Sequence, residues 1–159
     1  MKKIYIDCCI DGRQRWGDAR AFSATLVEVR NHLENSGLFE VLPTLVNPSH
    51  HRDDFGNHGS EDVEMEKLVV EADIIICLCD PPSLGFSSVT IDHLIENPKK
   101  QCFAFVRPEN LQYANAISPE LEALHMYSDI GDIACSLPRL VEIRKTSNPF
   151  RLVQDLTVR

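Results

Sequence analysis

The chain has 159 residues, of which 43% are hydrophobic and 25% are charged, and its formal net charge is −8 at pH 7. This length favours one soluble domain with a sizeable core, and the acidic balance argues against a binder of nucleic-acid polymers or anionic membranes, because both need basic surface. No apolar run reaches the ~20 residues that span a bilayer, and no signal peptide is evident, so we expect a cytoplasmic protein.

Predicted strands and helices alternate along the chain. Apolar residues that recur every three to four positions indicate the helices, whereas the unbroken runs A-D-I-I-I-C-L-C and Q-C-F-A-F-V are typical of strands covered on both faces. In chain order the predicted elements are a strand at 2–9, helix 19–35, strand 39–45, helix 61–71, strand 72–79, helix 89–97, strand 101–106, a helix that starts at 118–120, strand 125–127 and helix 132–144.

This alternation predicts an α/β domain at residues 1–144, with a Rossmann-like or flavodoxin-like parallel sheet and helices on both faces. Ligands of such folds bind at the carboxyl ends of the strands, where the loops 9–18, 81–88 and 107–116 are expected to meet. Residues 145–159 form a tail with four apolar side chains, which we expect to dock on the domain or on a partner subunit.

The stretch D-P-P-S-L-G-F-S-S leaves a buried strand and enters a helix. The hydroxyl of Ser83 and backbone N–H groups at a helix start suit a phosphate. A plain strand-to-helix turn has the same free N–H groups, and the short motif alone favours that reading. Arg13 or Arg15 of the first loop can pair with a phosphate, but the alternative of a solvated, salt-bridged loop is the simpler one.

Two groups of residues are candidates for metal binding or redox chemistry. Histidines and aspartates crowd residues 50–58, yet their spacing matches no compact zinc motif, so a polar loop is favoured. Cys77 and Cys79 are expected to point to one face of a strand, and vicinal Cys8 and Cys9 lack a C-x-x-C spacing. Reduced cysteines packed in the core are favoured, and no metal ion or cofactor is predicted.

Three stretches together resemble the nucleoside 2-deoxyribosyltransferase superfamily, most closely its 2′-deoxynucleoside 5′-phosphate N-hydrolases. They are I-Y-I in the first strand, the turn P-S-L-G after a buried strand, and F-V-R-P at the end of the next one, and the resemblance covers residues 4–144. It implies a dimeric Rossmann-like protein whose site is completed by a neighbouring subunit. These hydrolases cleave the bond between base and deoxyribose with a carboxylate nucleophile and a second carboxyl group.

The resemblance also implies roles for single residues. Tyr5 matches an active-site tyrosine, Ser83 and Gly85 belong to the turn that meets the 5′-phosphate, and Ile10 and Gly12 line the first loop. Asp11 and Cys9 replace the family's arginine and phosphate-facing serine there, and Arg13 is expected to compensate. Asn115 lies near the place of a serine that reaches across the dimer.

Both family carboxylates are missing from their expected positions, which hold Val89 and Met65. Asp92, about one helical turn after Val89, and Glu64 or Glu66 beside Met65 are the candidate replacements. We therefore expect a nucleotide-binding member of the superfamily, with a nucleoside 5′-monophosphate as ligand and degenerate catalysis, that forms a homodimer or a hetero-oligomer with a related subunit. The alternatives are an active N-glycosidase that uses the relocated carboxylates and a non-catalytic subunit of a mixed oligomer.

Overall fold

A computed structural model describes residues 1–10, 18–43, 59–118, 121 and 123–143. The predictions for Gly12, Arg13, the histidine-rich segment up to residue 58 and the tail fall outside these residues. The elements are β1 (Lys2–Ile6), α1 (Ala19–Asn35), β2 (Phe39–Val41), α2 (Gly59–Glu71), β3 (Ile74–Leu78), α3 (Ser88–Glu96), β4 (Gln101–Val106), a 3-10 helix (Pro108–Asn110), α4 (Leu111–Ile117), β5 (Leu124–Met126) and α5 (Ile130–Ile143).

The five strands form one parallel sheet in the order β2-β1-β3-β4-β5. Helix α1 packs against α5 and helix α2 packs against α3, so two helical layers enclose the sheet. This arrangement confirms the predicted α/β fold. The chain leaves β1 toward β2 and returns to the other side of β1 as β3, which makes the boundary between β1 and β3 the topological switch point.

The central strand β3 is apolar along its whole length because both of its faces are covered. Every one of its residues is buried, because β1 and β4 flank it and helices cover both faces. Ile4 pairs with Ile74 and Ile6 with Ile76 across β1 and β3, so branched apolar side chains fill the same layer. Removal of these side chains from water is the main favourable contribution to folding.

Helix α1 has the bounds that its apolar spacing predicts. Asp18 caps its start, where a carboxylate oxygen accepts hydrogen bonds from the N–H groups of Arg20 and Ala21 at 2.9 and 3.3 Å. Gly37 follows its end with φ +73°, a left-handed conformation that favours glycine. None of the helices in the described part of the chain is long and apolar enough to cross a membrane.

The prediction of a helix that starts at residues 118–120 is wrong. The helical segment lies earlier, at Pro108–Asn110 and Leu111–Ile117, in the stretch that was expected to be a loop. Leu121 forms an isolated bridge and residues 124–126 form β5. A proline can precede a helix or follow one, so Pro108 and Pro119 were ambiguous signals.

Candidate functional site

The loops that follow β1 and β3 are joined directly above the switch point. The N–H of Leu84 donates to the carbonyl of Cys9 at 2.6 Å, and the N–H of Cys9 donates to the carbonyl of Gly85 at 2.9 Å. Ile10 and Ser83 pair as an antiparallel bridge between them. The two loops therefore form one surface at the carboxyl edge of the sheet, by which we mean the edge where the strands end.

Hydrogen bonds within the turn at Ser83 and to α4 occupy its polar groups. Ser83 is fully buried, and its hydroxyl oxygen accepts from the N–H of Gly85 at 3.1 Å. The N–H of Ser83 donates to the Asp80 carbonyl, and the hydroxyl of Tyr113 donates to the Ser83 carbonyl, both at 2.8 Å. The amides of Ser83, Leu84 and Gly85 are thus engaged, in contrast to the free N–H groups that the sequence suggested.

Gly85 is required by the packing of this turn. Its φ is +91°, and a Cβ added to it would lie 2.6 Å from the hydroxyl oxygen of Ser118, at the end of α4. The positive φ disfavours any larger side chain, and an added Cβ would also require the Ser118 hydroxyl to rotate away. Gly85 therefore fixes how closely the turn after β3 approaches α4.

Asp7 is a buried carboxyl group that the sequence reasoning did not single out. It follows β1, is only 1% exposed, and accepts a hydrogen bond from the N–H of Ser87 at 2.8 Å through its Oδ2. Burial raises its pKa, while hydrogen bonds from Ser87 and Thr90 act in the opposite direction. Its Oδ1 has no hydrogen-bond partner among the described residues. Asp7 thus ties the end of β1 to the start of α3, because Ser87 also caps that helix.

A second carboxyl group, that of Asp80, connects the ends of three strands. Its Oδ1 accepts from the N–H of Arg107 at 2.9 Å and from the side-chain amide of Asn110 at 2.8 Å. Its Oδ2 accepts from the hydroxyl of Tyr127. Burial and the Asp80 carboxylate raise the pKa of Tyr127, so this phenol stays protonated as a donor. The signal in the sequence was an acidic residue at the end of two apolar runs, as in I-Y-I-D and L-C-D.

Arg107 completes this group on its outer side. Its guanidinium carbon lies 5.2 Å from the centroid of the Tyr127 ring, and the side chain is half-exposed. Contact with the Tyr127 hydroxyl raises the pKa of Arg107, so it is a permanent cation.

The residues proposed for catalysis differ in exposure. Tyr5 lies in the core at 1% exposure, where burial raises the pKa of its phenol. Asp92 is exposed on α3, and Glu64 and Glu66 are exposed on α2. No hydrogen bond within the described part of the chain joins these three carboxylates to Asp7.

Two other residues that were predicted to contact the ligand differ in burial. Asn115 is exposed on α4, whereas Ile10 is 5% exposed and packs in the core. Val89, at the position of the family's glutamate, is half-buried near the start of α3.

The thiols behave as packed apolar groups. None of the six cysteines forms a disulfide bond in the described part of the chain, and four of them, Cys8, Cys77, Cys79 and Cys102, are buried. The sulfur atoms of Cys8 and Cys77 are 3.8 Å apart. Burial raises the pKa of Cys77 and of Cys102 well above the usual value, which keeps both thiols neutral. Within the described ranges no three histidine, cysteine, aspartate or glutamate side chains are placed to hold a metal ion.

Comparison with known proteins adds no family to this description. No protein-family model and no curated protein matches the chain.

Proposed function

We propose that this protein binds a nucleoside 5′-monophosphate at the carboxyl edge of its sheet, as a nucleotide-binding member of the nucleoside 2-deoxyribosyltransferase superfamily. The observation that carries the proposal is the switch point between β1 and β3, with the loops after both strands joined through Ile10 and Ser83. In sheets of this strand order, ligands bind in the crevice at that point. The ligand class comes from the resemblance of I-Y-I, P-S-L-G and F-V-R-P to that superfamily.

The closed turn shifts the proposed phosphate contact away from the Ser83 hydroxyl. This oxygen is buried and accepts from Gly85, so it is available to a ligand only if the turn opens. We expect the phosphate to meet cations of the neighbouring segments instead, such as Arg13, for which the resemblance implies a compensating role. Ser83 instead supports the site by holding the turn against the loop after β1.

The proposed activity is binding without release of the base. Val89 and Met65 stand where the superfamily has its two carboxylates, and neither can attack a sugar or carry a proton. The candidate replacements Asp92, Glu64 and Glu66 are exposed on helices α2 and α3. Cleavage of the glycosidic bond needs two carboxyl groups that face one sugar across a few ångströms.

Thermal denaturation and calorimetry with a panel of nucleosides and their 5′-monophosphates test the proposal. We expect each effective monophosphate to raise Tm more than its parent nucleoside, and Arg13→Ala to reduce the difference. Arg139→Ala, which changes an exposed arginine of α5, is the matched control. Equal shifts with nucleosides and monophosphates would contradict a phosphate site.

Hydrogen exchange locates the ligand independently of these variants. We expect slower amide exchange on addition of monophosphate in peptides that cover residues 8–18 and 80–92, with unchanged exchange in α5. Protection confined to other elements would contradict the carboxyl edge as the site. Free base that appears with wild type and disappears with Asp92→Ala would instead establish the N-glycosidase alternative.

A further inference from the structure

We propose that Arg107 is a second arginine, besides Arg13, that recognises the ligand's phosphate group, and that Tyr127 and Asp80 are positioning residues beneath it. This inference rests on the proposed function, which it deepens by naming the group that distinguishes a monophosphate from a nucleoside. It follows from a layered arrangement of three side chains at the ends of β3, β4 and β5.

In this arrangement the Asp80 carboxylate is buried and the Arg107 guanidinium lies at the surface. Asp80 and Tyr127 are 6% and 3% exposed, whereas the Arg107 side chain is half-exposed. The Tyr127 hydroxyl donates to Asp80, and its ring lies beneath the Arg107 guanidinium at 5.2 Å. An arginine stacked on an aromatic ring is held in place, so less conformational entropy is lost when it binds an anion.

The guanidinium retains donors for a ligand. The Asp80 oxygens accept from the Arg107 main chain, from Asn110 and from Tyr127. Among the described residues, no carboxylate forms an ion pair with the Arg107 side chain. A guanidinium has five N–H donors in a planar fork, and a phosphate accepts two of them side by side.

The negative charge of Asp80 repels an incoming phosphate, but Asp80 would lie farther from the phosphate than the Arg107 guanidinium does. Asp80 is buried beneath the Tyr127 hydroxyl and the Arg107 main chain, to which it is hydrogen-bonded, whereas the guanidinium would touch the phosphate directly. Because Coulomb energy falls with distance, the nearer positive charge prevails. The Asp80 carboxylate also holds the Arg107 main chain through its N–H, which fixes where the side chain starts.

Arg107 is also close to the switch point along the sheet edge. It directly follows β4, the neighbour of β3, and the α4 helix that begins four residues later donates from Tyr113 to the Ser83 carbonyl. A ligand whose sugar lies over the turn after β3 can therefore extend its phosphate toward β4 and the ring of Tyr127.

The test compares binding of a nucleoside 5′-monophosphate and of its parent nucleoside by calorimetry. We expect Arg107→Gln to weaken the monophosphate tenfold to hundredfold, as the loss of ~1.5–3 kcal/mol for a charged hydrogen bond implies. Affinity for the nucleoside should change by less than about twofold, because that ligand lacks the charged group that the guanidinium binds. Arg107→Lys should restore part of the loss, since it keeps the charge but not the fork.

Two further variants separate recognition from folding. Arg139→Gln on α5 should leave both affinities unchanged. Tyr127→Phe keeps the ring under the guanidinium but loses the bond to Asp80, and we expect it to weaken the monophosphate several-fold more than the nucleoside. A purely structural role for Tyr127 would weaken both ligands equally, and that result would overturn its assignment as a positioning residue.

The outcomes distinguish the two proposals. If wild type prefers the monophosphate and Arg107→Gln keeps that preference, the assignment of Arg107 is overturned while the proposed function stands. If wild type shows no preference for the monophosphate, the proposed function fails and the assignment fails with it. A preference that disappears in Arg107→Gln and persists in Arg139→Gln supports both.

Discussion

Replacement of Asp7 by asparagine tests whether this carboxyl group is buried as the structure shows. Asparagine keeps an oxygen that can accept from the N–H of Ser87 but removes the ionisable proton. The pKa of Asp7 is raised in the folded protein by burial. The folded state therefore loses stability, relative to the unfolded chain, when Asp7 ionises.

The direction of the pH effect follows from this raised pKa. The favourable contribution of neutral Asp7 is fully present below its unfolded pKa of ~3.9 and is lost as pH rises through the folded-state pKa. Between these two values, the stability of Asp7→Asn relative to wild type should rise by about 1.4 kcal/mol per pH unit. Above the folded-state pKa the difference should be constant.

Urea denaturation at pH 4 to 8 measures this difference. Asp92→Asn is the control, because Asp92 is exposed on α3 and its loss should give no comparable pH dependence. A free-energy difference between wild type and Asp7→Asn that stays the same across this range would refute the burial argument. A difference that grows in favour of wild type with rising pH would mean that the carboxylate is stabilised by groups near it.

The remaining predictions concern Gly85 in the turn after β3 and the hydrogen bond between Tyr127 and Asp80. Gly85→Ala should destabilise the protein by about 1 kcal/mol more than Gly37→Ala does, since both have positive φ but only at Gly85 must a neighbour, the Ser118 hydroxyl, move away from the added Cβ. Urea denaturation measures both, and Ser118→Gly added to Gly85→Ala should recover part of the loss. Tyr127→Phe should cost about 1–3 kcal/mol, because Asp80 loses a buried hydrogen-bond donor. An unchanged thermal transition would contradict that bond.

Much of the fold was predictable because it depends on local periodicity. The apolar spacing gave helix Ala19–Asn35 its observed bounds, and the run Q-C-F-A-F-V gave strand Gln101–Val106 its own. The strands predicted at 2–9 and 72–79 are shorter in the structure, at Lys2–Ile6 and Ile74–Leu78, because an apolar run does not show where strand pairing stops. The helix near Pro119 was misplaced because proline occurs on either side of a helix.

The sequence by itself determined the class of fold and which end of the sheet carries the loops that join strand to helix. Only the tertiary structure decided that the amides near Ser83 are occupied, that Asp7 is buried with one oxygen lacking a partner among the described residues, and that Asp80 and Tyr127 contact Arg107. The physical reason is the distance along the chain. Asp7 bonds to a residue 80 positions away and Asp80 to one 47 positions away. Periodicity reports which face of an element is apolar, but a contact between distant segments exists only once the sheet has brought them together.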